Sequence, residues 1–185
     1  DVTGHAMEAA IPAVMFDGIL ESQIENQGSL EELFVSLNQT LHRRLDSRTF
    51  ICFVMAEIDP KTLRLRLSNA ACPYPYLYRA ETGTVEELNL DAYPLGVRPD
   101  TEYRVLETQL LSGDQLIFCS DGLIEAENVS GTQFGYERAL ETIREGCSKS
   151  EAAEGVISHL IQAVDTFRGH TPKLETVGIR DGIQL

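Results

Sequence analysis

Two aspartates stand where a carboxylate could do chemistry. Asp121 follows the apolar run Leu116-Ile-Phe-Cys119 and precedes Gly122. A strand ending there fixes the backbone while the side chain faces outward, and a glycine lets backbone or ligand come close. Asp1 precedes Val2-Thr3-Gly4, ahead of a helical stretch, and has the same kind of exposure. Hard divalent cations such as magnesium or manganese want oxygen ligands of this sort. Two such ions about 4 Å apart can activate a water for in-line attack on phosphorus. Each aspartate also has a plain reading. Asp-Gly after a strand is commonly a turn, and an Asp just ahead of Thr-Gly commonly opens a helix.

The other reactive side chains say less. Cys52, Cys72, Cys119 and Cys147 form no Cys-x-x-Cys pair and no cluster with histidine. They read as reduced thiols of a cytoplasmic protein rather than as a zinc site or a disulfide framework. Cys72 is followed by Pro73 with no histidine near it in sequence, so it reads as structural rather than nucleophilic. His5 is the histidine nearest a proposed ligand and reads as an exposed residue at a helix start, with phosphate contact as the alternative.

Composition narrows the partners. The 185 residues carry 15 Lys and Arg against 29 Asp and Glu, a formal charge of −14. That charge repels phosphate backbones and anionic lipid, which argues against nucleic-acid and membrane-surface roles. No apolar run reaches the ~18–20 residues of a membrane span. Hydrophobic residues at 43% and charged residues at 24% suit one ordinary globular domain over residues 1–185. The chain opens on Asp rather than Met, so the expectation is a fragment that starts inside an element.

The elements that must position these residues follow from periodicity. Gly4 to about Glu25 is helical, with Met7, Ala10, Ile11, Val14 and Gly18 on one face and Pro12 expected to kink or restart it. Ser29-Leu-Glu-Glu32 is a capping box opening a second helix, whose buried stripe is Leu30, Leu33, Phe34, Leu37 and Leu41. Phe50 to Ala56 reads as a strand covered on both faces, and Leu63, Leu65 and Leu67 alternate as a half-exposed partner strand, making a hairpin. Tyr76–Ala80, Thr84–Leu88, Tyr103–Leu110 and Leu116–Cys119 add strands. Tyr136–Glu145 and Ser148–Phe167 are helices, the latter with Ser148 and Glu151 as a capping box, and Thr176–Ile179 is a closing strand. Helices, a strand block, then helices make an α+β layout.

Several strings together resemble the metal-dependent protein serine/threonine phosphatases of the PPM superfamily, in the bacterial SpoIIE and RsbU branch. Asp1-Val-Thr-Gly-His5 with Ala9-Ala10, Asn69-Ala-Ala71 with Pro73 and Pro75, and Tyr93-Pro-Leu-Gly96 match in the family's order. So do Gly113-Asp114 and Ser120-Asp-Gly122, with Glu125-Ala126 and Phe134-Gly135. The resemblance implies an αββα sandwich of two antiparallel sheets flanked by helices, N-terminally incomplete here. It implies two manganese or magnesium ions, with Asp1, Asp121 and the Val2 carbonyl as ligands and Asp1 and Asp121 as the catalytic carboxylates. The implied reaction is hydrolysis of phosphoserine or phosphothreonine on a regulatory protein of the anti-sigma-factor-antagonist type.

Three departures accompany it. The upstream Gly-Gly-Asp strand of the family precedes residue 1. Lys173 and Leu174 stand where the family has Asp-Asp ahead of Thr176, with Glu175 as the nearest replacement ligand. His5-Ala6 and Ala71-Cys72 replace His/Lys-Gly and Gly-His. These keep a second reading open, a catalytically inactive relative that binds a partner protein. A third reading gives Phe16, Ile19 and Leu20 to a homodimer or sensor contact.

Overall fold

The computed structural model describes residues 1–3, 7–25, 28–150 and 152–169. The chain divides into two compact units, Asp1–Gly122 and Leu123–Leu185.

In the first unit, α1 spans Met7–Ile24 and α2 spans Leu30–Arg44. Ser29 caps α2, its Oγ accepting the Glu32 amide proton at 3.2 Å. Glu31 and Glu32 in the first turn, and His42, Arg43 and Arg44 in the last, complement the helix dipole. Leu30, Leu33, Phe34, Leu37 and Leu41 are all buried, as their spacing predicts. The α1 face is the reverse of the expected one. Ile11 and Val14 are 73% and 75% exposed, while Met15, Phe16, Ile19 and Leu20 pack into the core with α2. Phe16 meets the Phe53 ring edge-on at 5.0 Å. This helix is apolar on nearly every side, so its period marks no single buried stripe, and contact with α2 and the first strand chooses one. The same contact packs Phe16, Ile19 and Leu20 against the core of their own unit. α1 also runs through Pro12 without restarting. A proline this near the helix start removes one bond that packing of the remaining turns offsets.

Two three-stranded antiparallel sheets follow. The first orders β1 (Phe53–Ile58), β2 (Arg64–Ala70) and β5 (Leu106–Gln109) as β1-β2-β5. The second orders β3 (Tyr76–Arg79), β4 (Thr84–Glu87) and β6 (Gln115–Ile117) as β4-β3-β6. The β1–β2 register pairs Phe53 with Ala70 and Ile58 with Leu65. Phe53 and Met55 face the helices, whereas Val54 and Ala56 join Leu65, Leu67, Leu77 and Leu116 in a second core. Both faces of β1 are thus covered, as its continuous apolar run predicts. Leu65 and Leu67 are fully buried, but Leu63 is not in the strand. It closes the turn from Asp59 with φ of 57° and is 40% exposed. On the helix-facing side Arg66 bonds Glu31 of α2 at 2.9 Å and Glu57 and Glu107 of its own sheet at 3.0 Å each. Phe118, expected within a buried run, lies beyond β6 and is 46% exposed.

The short helix α3 (Asp121–Ile124) leads into the second unit, which holds α4 (Tyr136–Lys149) and α5 (Ala153–Arg168). Its core gathers Ile124, Ala126, Phe134 and Ala139 against Val164 and Phe167. Ser148 is not a cap, since it lies inside α4 with its hydroxyl donating to the Glu145 carbonyl at 2.9 Å. Local sequence favours a cap there, but α4 continues past it. The α5 stripe is buried at Val156, while Ile157 and Ile161 are 49% and 41% exposed. The expected strand Thr176–Ile179, together with His5, Glu151, Lys173, Leu174 and Glu175, lies outside the described residues. Among the described residues no helix is long and apolar enough to cross a membrane.

Candidate metal centre

Asp1 is placed by the chain just ahead of β1. Its nitrogen donates to the Cys52 carbonyl at 2.8 Å, its carbonyl accepts the Cys52 amide at 2.9 Å, and the Thr3 amide donates to Phe50 at 3.1 Å. Those bonds flank an antiparallel bridge between Val2 and Ile51. In such a pair the bonded groups belong to the neighbours, so the Val2 carbonyl is directed away from Ile51. The Asp1 side chain is exposed. Asp121 is also exposed and opens α3, a few residues past β6.

The Asp121 charge reaches two thiols. Cys52 is pushed up from its ordinary thiol range, first by burial, with Asp121 adding to the rise. Cys72 is pushed up to about 11, again first by burial, with smaller contributions from Cys52 and from Asp121. The fold therefore ties Cys52 to the Asp1 backbone and sets Cys52 and Cys72 within electrostatic reach of Asp121. No local spacing marks Cys52, because its neighbours are set by strand pairing.

The turn after β2 forms one side of this neighbourhood. Asn69 is 2% exposed and grips both backbone groups of Cys72. Its Nδ2 donates to the Cys72 carbonyl and its Oδ1 accepts the Cys72 amide, each at 2.9 Å. Between them Ala71 is held at φ of 66°. A side chain in that left-handed region costs roughly 1–2 kcal/mol.

Two further motif pieces hold the frame rather than the chemistry. Leu95 is buried and exchanges backbone bonds with Ile51 at 3.1 and 2.8 Å, the residue beside Cys52. Gly96, at φ of 90°, lies so close to α2 that a Cβ would stand 3.3 Å from Leu45 and 3.6 Å from Leu41. Fully buried Asn38 fixes this segment, accepting the Gly96 amide at 2.9 Å and donating to the Arg98 carbonyl at 2.7 Å. Asp114 has a side chain only 1% exposed. It accepts from the Ala80 amide at 3.0 Å, the Leu111 amide at 3.0 Å and Arg79 at 2.9 Å. Burial alone would raise its carboxyl, but those bonds outweigh it and hold the group below the ordinary carboxylate value. Arg79 in β3 also reaches Thr108 and the Gln109 carbonyl in β5, joining the two sheets.

The donor chemistry suits a hard ion. Two exposed carboxylates and an outward carbonyl are oxygen ligands, and magnesium-type ions are commonly held by one or two carboxylates plus substrate phosphate. The adjacent thiols are kept protonated by burial and do not compete as soft ligands. Among the described residues no group of three His, Cys, Asp or Glu side chains is arranged to hold a metal.

The family description of stage II sporulation protein E (SpoIIE) matches residues 1–173. The chain belongs to the SpoIIE family. This SpoIIE-family chain is 23% identical over 131 residues to the phosphoserine phosphatase RsbU of Bacillus subtilis (strain 168), a match covering 71% of the chain and 39% of RsbU. It is similar in fold to the SiaA-PP2C domain of Pseudomonas aeruginosa, with a TM-score of 0.78, 20% identity, and 95% and 70% of the two chains covered. It is similar also to the PP2C phosphatase domain of SpoIIE from Bacillus subtilis solved with a fragment of its regulatory domain. That TM-score is 0.71 at 18% identity, covering 90% of this chain and 48% of that one. The α+β architecture with two antiparallel sheets is that of PP2C phosphatase domains. The chain spans about two fifths of RsbU's length.

Proposed function

We propose that residues 1–185 form a PPM-type phosphatase domain that hydrolyses phosphoserine or phosphothreonine on a regulatory protein, of the anti-sigma-factor-antagonist type, in bacterial signalling. The observation that carries this reading is the match of residues 1–173 to the SpoIIE family, in a fold that ties the Asp1 backbone to Cys52 and opens α3 with Asp121 just past β6. Asp1, Asp121 and the Val2 carbonyl would hold manganese or magnesium. Such ions, when bound, polarise phosphoryl oxygens and lower the pKa of water at neutral pH. The chain's own part is to fix these oxygens on backbone that cannot drift. Asp1 is tied to Cys52 by two backbone bonds, Ile51 beside it is tied to Leu95, and Asn38 anchors the Leu95 segment. The relative's description as a phosphoserine phosphatase supports the substrate class.

The test is turnover of a phosphoserine peptide by the intact protein with added manganese. Asp121→Asn is expected to lower it more than about 100-fold, since even residues behind the ligands commonly cost 10–100-fold. Turnover that is absent, or indifferent to Asp121→Asn, refutes the reading. Among the described residues no three His, Cys, Asp or Glu side chains gather to hold a metal, which favours a second reading, a PPM-like domain that binds a partner without catalysis. Titration calorimetry separates them: micromolar manganese uptake at two sites supports the enzyme, and no uptake supports the binding module.

A further inference from the structure

We infer that Asn69 is a positioning residue, whose double grip on Cys72 holds the left-handed Ala71 turn as a fixed wall of the Asp1–Asp121 site. The inference rests on the phosphatase reading for its activity arm only. Asn69 is paired with Val54 and sits one residue before the end of β2, so it is anchored by the sheet. The last register pair is Phe53 with Ala70. Phe53 is preceded by Cys52, whose backbone is bonded to Asp1, so the turn leaves β2 at the end of the sheet where Asp1 is held. A buried amide here has open choices, yet both ends of its side chain go to one residue's backbone three positions on. That closes a ring around Ala71. Ala71 has a Cβ and would leave φ of 66° for an ordinary basin if released. Release would swing Cys72, whose thiol lies within electrostatic reach of Asp121, and would redraw that side of the proposed site. Strain confined to a site in this way persists only where the surroundings over-determine it.

The experiment uses the intact protein with Asn69→Leu, which keeps the volume and removes both bonds. A misplacement of about an ångström near reacting atoms costs up to ~100-fold in rate, so manganese-dependent kcat is expected to fall ten- to a hundredfold with KM changed less. Two rescues distinguish positioning from bulk stability. Ala71→Gly removes the need for the grip and is expected to restore kcat. Leu63→Gly relieves the other left-handed non-glycine residue among the described residues, in a turn at the opposite end of β2 from Asn69, and is expected to recover part of the lost melting temperature without restoring kcat. A second readout needs no turnover. The rate at which a maleimide labels Cys72, followed by mass spectrometry, is expected to rise about tenfold in Asn69→Leu and to fall back with Ala71→Gly. Unchanged labelling, or equal rescue of kcat by Leu63→Gly, overturns the inference. Absence of manganese-dependent turnover in the unsubstituted protein overturns the phosphatase reading instead, and the labelling arm then still decides the positioning role. If Asn69→Leu does not fold, Asn69→Asp, which keeps the acceptor and loses the donor, gives the same labelling comparison.

Discussion

Replacing Asp114 by Asn is the sharpest probe of how the sheets are joined. In the native chain Oδ2 accepts from Leu111 and Arg79, and Oδ1 accepts from Ala80. An asparagine oxygen in the Oδ2 place keeps the first two, but its amide nitrogen then faces the Ala80 N–H. A buried donor left unsatisfied costs about 1–3 kcal/mol, and turning a charged bond to Arg79 into a neutral one costs about 1 more. The sum is about 2–4 kcal/mol. At about 2–4 °C per kcal/mol for a chain of this size, the melting temperature at pH 7 is expected to fall by about 5–15 °C. The pH dependence gives a second check. The folded carboxyl lies below its unfolded value, so ionised Asp114 contributes stability above the ordinary carboxylate pKa of ~3.9, and that contribution is lost as pH falls through and below it. Asparagine does not titrate. The gap between the two proteins, measured by urea unfolding, is therefore expected to be full at pH 7 and to narrow below about pH 4. A gap under about 1 kcal/mol at pH 7, or one that is constant with pH, refutes the reasoning.

Other predictions follow from single contacts. Asn38→Leu removes the bonds to Gly96 and Arg98 and strands two backbone groups, so urea unfolding is expected to show a loss of about 2–5 kcal/mol; a loss below 1 would mean water replaces the amide. Leu63→Gly is expected to stabilise by about 0.5–1 kcal/mol, the left-handed strain outweighing the greater freedom of glycine in the unfolded chain, with manganese-dependent turnover unchanged; thermal unfolding and a phosphopeptide assay check both.

Much of the fold was legible because its signals are local. Ser29 three residues before Glu32 starts α2 wherever the helix lies, and the spacing of Leu30, Leu33, Phe34, Leu37 and Leu41 requires one buried stripe. The uninterrupted apolar run of β1 already states that both faces are covered, and the ordered strings around Asp1 and Asp121 point to the SpoIIE family. Other features depend on what lies across the chain. α1 is apolar on several sides, so only packing against Phe53 and α2 turns Phe16, Ile19 and Leu20 inward and leaves Ile11 and Val14 outside. Leu63 continues an alternating pattern in sequence, yet the turn from Asp59 claims it. Gly113-Asp114 is a legible string, but its work of binding Ala80, Leu111 and Arg79 exists only once β3 and β5 lie side by side. The sequence alone determines which residues want to be buried, capped or ionised, since those preferences belong to single side chains and their near neighbours. Which thiols sit beside Asp1 and Asp121, and which amide holds Ala71, is decided by strand register, a relation between distant segments that no local spacing encodes.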